Sequence, residues 1–172
     1  MTKPFVVNNS GKTEWFTPPK IIRSARLVMG GIDLDPASCS KANEIVGADK
    51  YYTKEQDGLR QRWFGRVWLN PPYTAGVVDK FILKFCEHAT RGDIEQACIL
   101  VNNCTETRWF QQLASICFDF CFTRGRLRYV DGDGNGLGSP LQGQCIIYYG
   151  NRRREFTNEF KKHGIVLHGL TK

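Results

Sequence analysis

The tetrapeptide Asn70-Pro71-Pro72-Tyr73, directly after the strand-forming run Arg66-Val67-Trp68-Leu69, is the tightest constraint on what this chain can fold into. Proline has no N–H and a fixed φ, so two in a row cannot continue a paired strand or enter a helix interior. The run must end as a strand and leave the sheet at Asn70. The two rings leave behind acceptors, the Asn70 side chain and the Pro71 carbonyl, held stiffly at the sheet edge. Tyr73 adds an aromatic face beside them. This set suits a planar molecule with an amino group, whose hydrogens go to the acceptors while its ring stacks on the tyrosine.

The rest of the chain alternates strand and helix. Residues 18–29 predict a helix, with Thr17 as N-cap, Pro18 in the first turn and Gly30-Gly31 as the stop. A short strand at Ile32-Asp33-Leu34 leads into Asp35-Pro36-Ala37-Ser38, and residues 40–47 form a short helix or turn. After the strand at 66–69 come a helix over 76–90, a buried strand at 96–101, a helix over 105–115 and a strand within 115–122. Residues 126–130 and 144–149 have the composition of an antiparallel hairpin around a Gly-rich loop. A helix over 153–163 and an extended piece at 164–168 follow. The expected fold is α/β: one mostly parallel twisted sheet, helices on both faces, and an antiparallel C-terminal hairpin. Ligands of such sheets bind outside the carboxyl ends of the strands, and Asp35 and Asn70 both fall there.

Several classes are excluded. With 172 residues the chain is expected to form one domain spanning 1–172, with residues 1–12 flexible. A hydrophobic content of 41% argues against disorder. No apolar run approaches the roughly 18–20 residues of a membrane span, and the polar first eleven residues lack a signal-peptide core. A cytoplasmic location is therefore expected. The seven cysteines contain no Cys-x-x-Cys pair, so free thiols and no structural metal are expected. Asp131-Gly132-Asp133-Gly134-Asn135-Gly136 matches the first half of a calcium loop, but Pro140 interrupts it and Gln142 takes the place of the closing Glu. A hairpin loop is the expected reading.

The net charge of +7 is unevenly spread: residues 1–120 hold 15 Lys+Arg against 13 Asp+Glu, and residues 121–172 hold 9 against 4. Arg124, Arg126, Arg128 and the run Arg152-Arg153-Arg154 carry much of the excess, which suits a polyanionic partner.

Asn70-Pro71-Pro72-Tyr73 resembles the (Asp/Asn/Ser)-Pro-Pro-(Tyr/Phe/Trp) signature of amino-methyltransferases that use S-adenosylmethionine. Three further elements precede it in the order those enzymes use: Glu14-Trp15-Phe16-Thr17-Pro18-Pro19, Ile32-Asp33-Leu34-Asp35-Pro36-Ala37-Ser38 and Gln56-Asp57-Gly58-Leu59. With Tyr51-Tyr52-Thr53, the string is similar to the phage-encoded DNA N6-adenine methyltransferases of the Dam type, over roughly residues 14–150 and most strongly over 14–73. The resemblance implies a Rossmann-like class I methyltransferase domain without a separate target-recognition domain, acting on double-stranded DNA in a bacterial host cytoplasm. It implies cofactor contacts from Trp15, Thr17, Asp35, Pro36, Ala37 and Ser38, with Asp57 on the cofactor's adenine and Asp49 or Glu44 on its ribose. Asn70, Pro71, Pro72 and Tyr73 would be catalytic, and Arg124, Arg126, Arg128, Arg152, Arg153 and Arg154 would contact DNA. The same chemistry also serves an RNA adenine or a protein glutamine, and an inactive nucleic-acid-binding relative would keep the basic face. One departure stands out: the glycine pair precedes the first strand, and Ala37-Ser38-Cys39-Ser40 after it has none.

Overall fold

The computed structural model describes residues 16–74, 76–131, 135–138 and 142–169. Trp15, the segment 1–12, Pro140 and residues 132–134 of the Gly-rich loop lie outside the described residues. The helices are α1 (Pro19–Met29), α2 (Ser40–Val46), α3 (Val77–Thr90), α4 (Arg108–Ala114) and α5 (Arg153–Phe160). The strands are β1 (Leu34–Asp35), β2 (Lys50–Tyr51), β3 (Gly65–Leu69), β4 (Ile94–Asn102), β5 (Asp119–Thr123), β6 (Tyr129–Val130), β7 (Gly136–Gly138), β8 (Gln144–Tyr149) and β9 (Gly164–His168).

Seven strands form one sheet in the order β2-β1-β3-β4-β8-β5-β9, and β6 and β7 form a separate ribbon. β1 through β4 are mutually parallel; β8 runs antiparallel to both β4 and β5, and β9 antiparallel to β5. β5 therefore points the same way as β4. Side-chain parity sorts the core into two layers. Val67, Leu69, Ala97, Ile99, Val101, Cys145 and Ile147 face α3 and α4. Trp68, Cys98, Leu100, Ile146 and Tyr148 face α1 and α5. This is the expected α/β sandwich of helices on both faces.

The antiparallel pairing differs from expectation in its partners. Residues 126–130 do not pair with 144–149; β6 pairs with β7, and β8 enters the main sheet between β4 and β5. Burial explains the exchange. Cys145, Ile146, Ile147 and Tyr148 are all fully buried, which requires a covered neighbour on each side. The segment 124–129 alternates exposed arginines with buried Leu127 and Tyr129, so it can only lie at a margin. The last helix is also shorter than expected, ending at Phe160 in a turn.

β1 has only two ladder residues, and its register on β3 is the single pair Leu34↔Val67. A fork of charge-assisted bonds supplements it. Asp33 accepts from Arg66 through the backbone N–H at 2.7 Å, Nε at 2.9 Å and Nη2. Gly31, in a positive-φ conformation, makes room: a Cβ there would lie 2.7 Å from the Arg66 guanidinium. The glycine pair ahead of β1 thus serves this ion pair at the amino end of the sheet.

The Arg66 side chain holds the Asp33 carboxyl below the usual carboxylate range. A lowered folded pKa adds stability that is complete above the unfolded value and is lost as pH falls through the folded one. Asp33→Asn should therefore destabilise the protein at pH 7 by about 1–3 kcal/mol. In denaturant titrations the gap from the parent should close in acid, as pH drops below the ordinary aspartate value near 3.8.

Candidate active site

The chain leaves β1 for β2 on one side and later returns to place β3 on the other. The crevice outside the carboxyl ends of β1 and β3 is therefore a topological switch point, where open α/β sheets bind ligands. Asp35 ends β1 and Asn70 follows β3, so both stand at its mouth.

Asn70 is held in one orientation. Its Nδ2 donates to Thr17 Oγ1 at a long 3.4 Å, and its Oδ1 is buried without a hydrogen-bond partner. An unsatisfied buried acceptor costs roughly 1–3 kcal/mol, so its persistence calls for a donor brought from outside. Thr17 has this role because it is not the helix cap expected of it. The cap position is Pro18, which makes no side-chain cap bond, and Thr17 is buried with its hydroxyl turned to Asn70. Beside this amide, Pro71 is buried and the Tyr73 residue is 41% exposed. The Tyr73 hydroxyl donates to the Leu100 carbonyl at 3.2 Å, and burial of that end raises its phenol well above the ordinary value. The tyrosine is a neutral platform pinned at its tip.

Asp35 is 3% exposed and forms no ion pair among the described residues. Burial pushes its carboxyl up to about 6, against the opposing bond from the Ala37 N–H at 3.2 Å. The Ser38 hydroxyl is close enough to favour the charged form but outside hydrogen-bond geometry, so its oxygen is a second buried atom without a partner. A buried carboxylate without a cation beside an unpartnered hydroxyl is a receptor for a positively charged, hydrogen-bonding group.

Asp57 joins this loop through its neighbour. It is the one non-glycine with positive φ among the described residues (φ 51°), and its carboxylate accepts from the Leu59 N–H at 3.1 Å. Gly58 packs directly on the loop after β1: a Cβ there would lie 2.0 Å from the Pro36 carbonyl oxygen. Trp63 Nε1 donates to the Gly58 carbonyl at 2.8 Å and locks the turn in place. The close approach of this turn to the loop after β1 therefore requires glycine at position 58. Ser38 was among the residues expected here, whereas the role of Gly58 and the positioning of Asn70 by Thr17 were not; only the Asp57-Gly58 pairing gave a local signal.

Other expected residues lie elsewhere. Asp49 precedes β2, on the exposed amino side where it feels Arg66, and Glu44 is exposed on α2. Neither follows the carboxyl end of a strand, because β2 begins after Asp49 and runs away from it. The arginines divide into two groups. Arg124, Arg126 and Arg128 follow the carboxyl end of β5 and are exposed, while the Leu127 N–H is held by Gln144 Oε1 at 2.9 Å. Val130 then bridges Phe16, the neighbour of Thr17. Arg152, Arg153 and Arg154 follow β8, which runs the opposite way, so they stand at the amino end of the sheet. Arg153 pairs with Asp119, which also binds His168, and Arg152 pairs with Glu155. The expected single basic grip is therefore split, and only its first half shares an end with Asn70.

Among the described residues no cluster of three or more His, Cys, Asp or Glu side chains could hold a metal, and all seven cysteines are free thiols. No helix among them is long and apolar enough to cross a membrane. In comparison with known families, residues 6–161 match the family model described as DNA N-6-adenine-methyltransferase (Dam). No curated protein matches the chain.

The buried Asp35 yields a signed expectation. A carboxyl with a raised folded pKa weakens the fold as it ionises, so stability falls as pH climbs from about 4 through 6. Asp35→Asn should melt later than the parent at pH 7.5, by on the order of 1–3 kcal/mol, with the difference vanishing below about pH 4. Thermal unfolding of both proteins across that range checks it; equal stability at pH 7.5 would contradict an unpaired buried charge.

Proposed function

The chain belongs to the DNA N-6-adenine-methyltransferase (Dam) family, and from that premise we propose that it transfers a methyl group from S-adenosylmethionine to the N6 amino group of adenine in double-stranded DNA. The observation that carries this reading is the Asn70 amide. Its oxygen is buried and unpartnered, next to a proline carbonyl and an exposed, tip-anchored tyrosine. That is the receptor an extrahelical adenine requires.

The residues present fit the cofactor. The unpaired Asp35 carboxylate suits an ammonium group, the Ser38 hydroxyl suits its carboxylate, and Asp57 across the Gly58–Pro36 contact suits the adenine amino group. Charge-assisted bonds of the Asp35 kind are roughly twice as strong as neutral ones. The strained φ of Asp57 costs about 1 kcal/mol or more, a feature that gathers at ligand sites. When bound, the cofactor supplies an electrophilic methyl group on a sulfonium. Trp15, Thr17, Pro36 and Ala37 complete the set expected around it.

A duplex hides adenine N6 in pairing and stacking, so the target base must leave the stack at a cost of a few kcal/mol. Tyr73 then stacks on the base, and Asn70 Oδ1 with the Pro71 carbonyl accepts its two amino hydrogens. Drawing both hydrogens to fixed acceptors turns the nitrogen lone pair out of ring conjugation and toward the methyl donor. Pro72 keeps the turn stiff. The contribution is positioning and preorganised dipoles, without a covalent enzyme intermediate. The chain acts as a single methyltransferase domain of phage or prophage origin in a bacterial cytoplasm.

Asn70→Ala should lose at least about a hundredfold in turnover while retaining its affinity for S-adenosylmethionine. Labelled cofactor offered with unmethylated duplex DNA, RNA or ribosomal protein reads both quantities, and base-resolved mapping locates the N6-methyladenine. Full methylation by the variant, or transfer only to RNA or protein, would overturn the assignment.

A further inference from the structure

A cavity of about 280 Å³ opens at the same end of the sheet as Asn70, lined by Lys20, Arg124, Arg126, Arg128, Lys162 and His163, with Leu127 as its apolar wall. We propose that it is a phosphate subsite that seats the sugar–phosphate backbone of the DNA strand beside the target adenine. This inference rests on DNA being the substrate, as argued above, and adds Lys20 from α1 and Lys162 and His163 from the turn after α5 to the three arginines.

Three separate parts of the chain converge there: the first turn of α1 (Lys20), the segment after β5 (Arg124 to Arg128) and the turn after α5 (Lys162, His163). The backbone fixes their approach. The Arg124 N–H donates to the His163 carbonyl at 2.8 Å, and the His163 N–H donates to the Phe160 carbonyl at 2.8 Å. His163 Nε2 also meets Ser24 Oγ at 2.8 Å, which ties the turn to α1.

Charge is gathered here without being neutralised. Lys162 pairs with Glu159, but Lys20, Arg124, Arg126 and Arg128 make no ion pair among the described residues. Lys20 and Lys162 also disfavour the protonated form of His163, after burial as the main cause. A cluster of like charges closing on a concave surface raises the local concentration of an anion and is relieved when one arrives. Arg guanidinium groups bind phosphate oxygens in a two-toothed manner that a lone lysine cannot match.

Position selects a DNA phosphate as the occupant. Two residues beyond Arg128, Val130 exchanges both backbone bonds with Phe16, at 2.9 and 3.1 Å, and the next residue, Thr17, holds Asn70. One short connection therefore separates the cationic cavity from the base acceptors. The larger cavity, about 370 Å³ at the amino end, contains Glu95 and the Arg153–Asp119 pair, so it lacks this uncompensated charge.

The test compares Lys20→Gln/Lys162→Gln with the parent and with Arg91→Gln, an exposed charge after α3 at the opposite end of the sheet. Affinity for an unmethylated duplex is followed from about 50 to 200 mM salt, where each lost phosphate contact reduces the slope of log K against log[salt] by about 1. The double variant should show a slope shallower by about 1–2, with S-adenosylmethionine affinity unchanged, while Arg91→Gln keeps the parental slope. A parental slope in the double variant overturns the subsite. If that variant melts early, Arg126→Gln alone supplies the slope. Inorganic phosphate, followed by the His163 ring resonances, is the second probe. It should compete with DNA, and saturation of the cavity without displacing DNA would assign it to free phosphate instead. A parent that methylates DNA beside an unaffected double variant removes only the subsite; a parent that neither binds nor methylates DNA removes both readings.

Discussion

The Asp33–Arg66 pair is the joint on which the rest of the site hangs. β1 is too short for its ladder to define a position, yet Asp35 must emerge at the same level as Asn70 for one ligand to meet both. The guanidinium fork spans the two strands at their amino ends and sets that level. Two residues on from Asp33 lies the buried carboxylate, and four residues on from Arg66 lies the unpartnered amide. A side chain turned to the opposite face by a one-residue slip would bring neither to the crevice.

The two halves of the crevice are tuned by opposite means. On the β1 side, burial leaves Asp35 without a cation and Ser38 Oγ without a hydrogen-bond partner, at a cost to the fold. On the β3 side, Asn70 is partly satisfied by Thr17, which fixes the amide's orientation and leaves only its oxygen free. The two sides thus differ in kind, a buried carboxylate on one and an unpartnered amide oxygen on the other. Gly58 brings the Asp57 turn onto the first half, so two segments about twenty residues apart in sequence pack together there.

Much of this was legible in the chain because it is encoded locally. Prolines at 71 and 72 terminate a strand whatever surrounds them, and Asp35 follows an apolar run that can only be a short strand. What was not legible depends on direction and on contacts between distant segments. Two basic clusters about 25 residues apart looked like one feature, but β8 reverses the chain between them and carries the second to the far end of the sheet. Asp49 lies just ahead of β2, and a two-residue strand has no visible start in the sequence that would have placed it there. Thr17 had every mark of a helix cap, and only the position of Asn70 reveals its other use. Lys20 carries no motif at all.

The insertion of β8 between β4 and β5 also has a temporal meaning. The strand that joins the two halves of the sheet comes from residues 144–149, later in the chain than both of its neighbours. As the chain leaves the ribosome, β4 must wait with one apolar edge open through α4, β5 and the ribbon before its partner is made. The nearly complete crevice thus belongs to a sheet whose centre closes among the last, which favours slow, non-local folding and gives the nascent chain a long interval in which that edge is open to pairing with another chain.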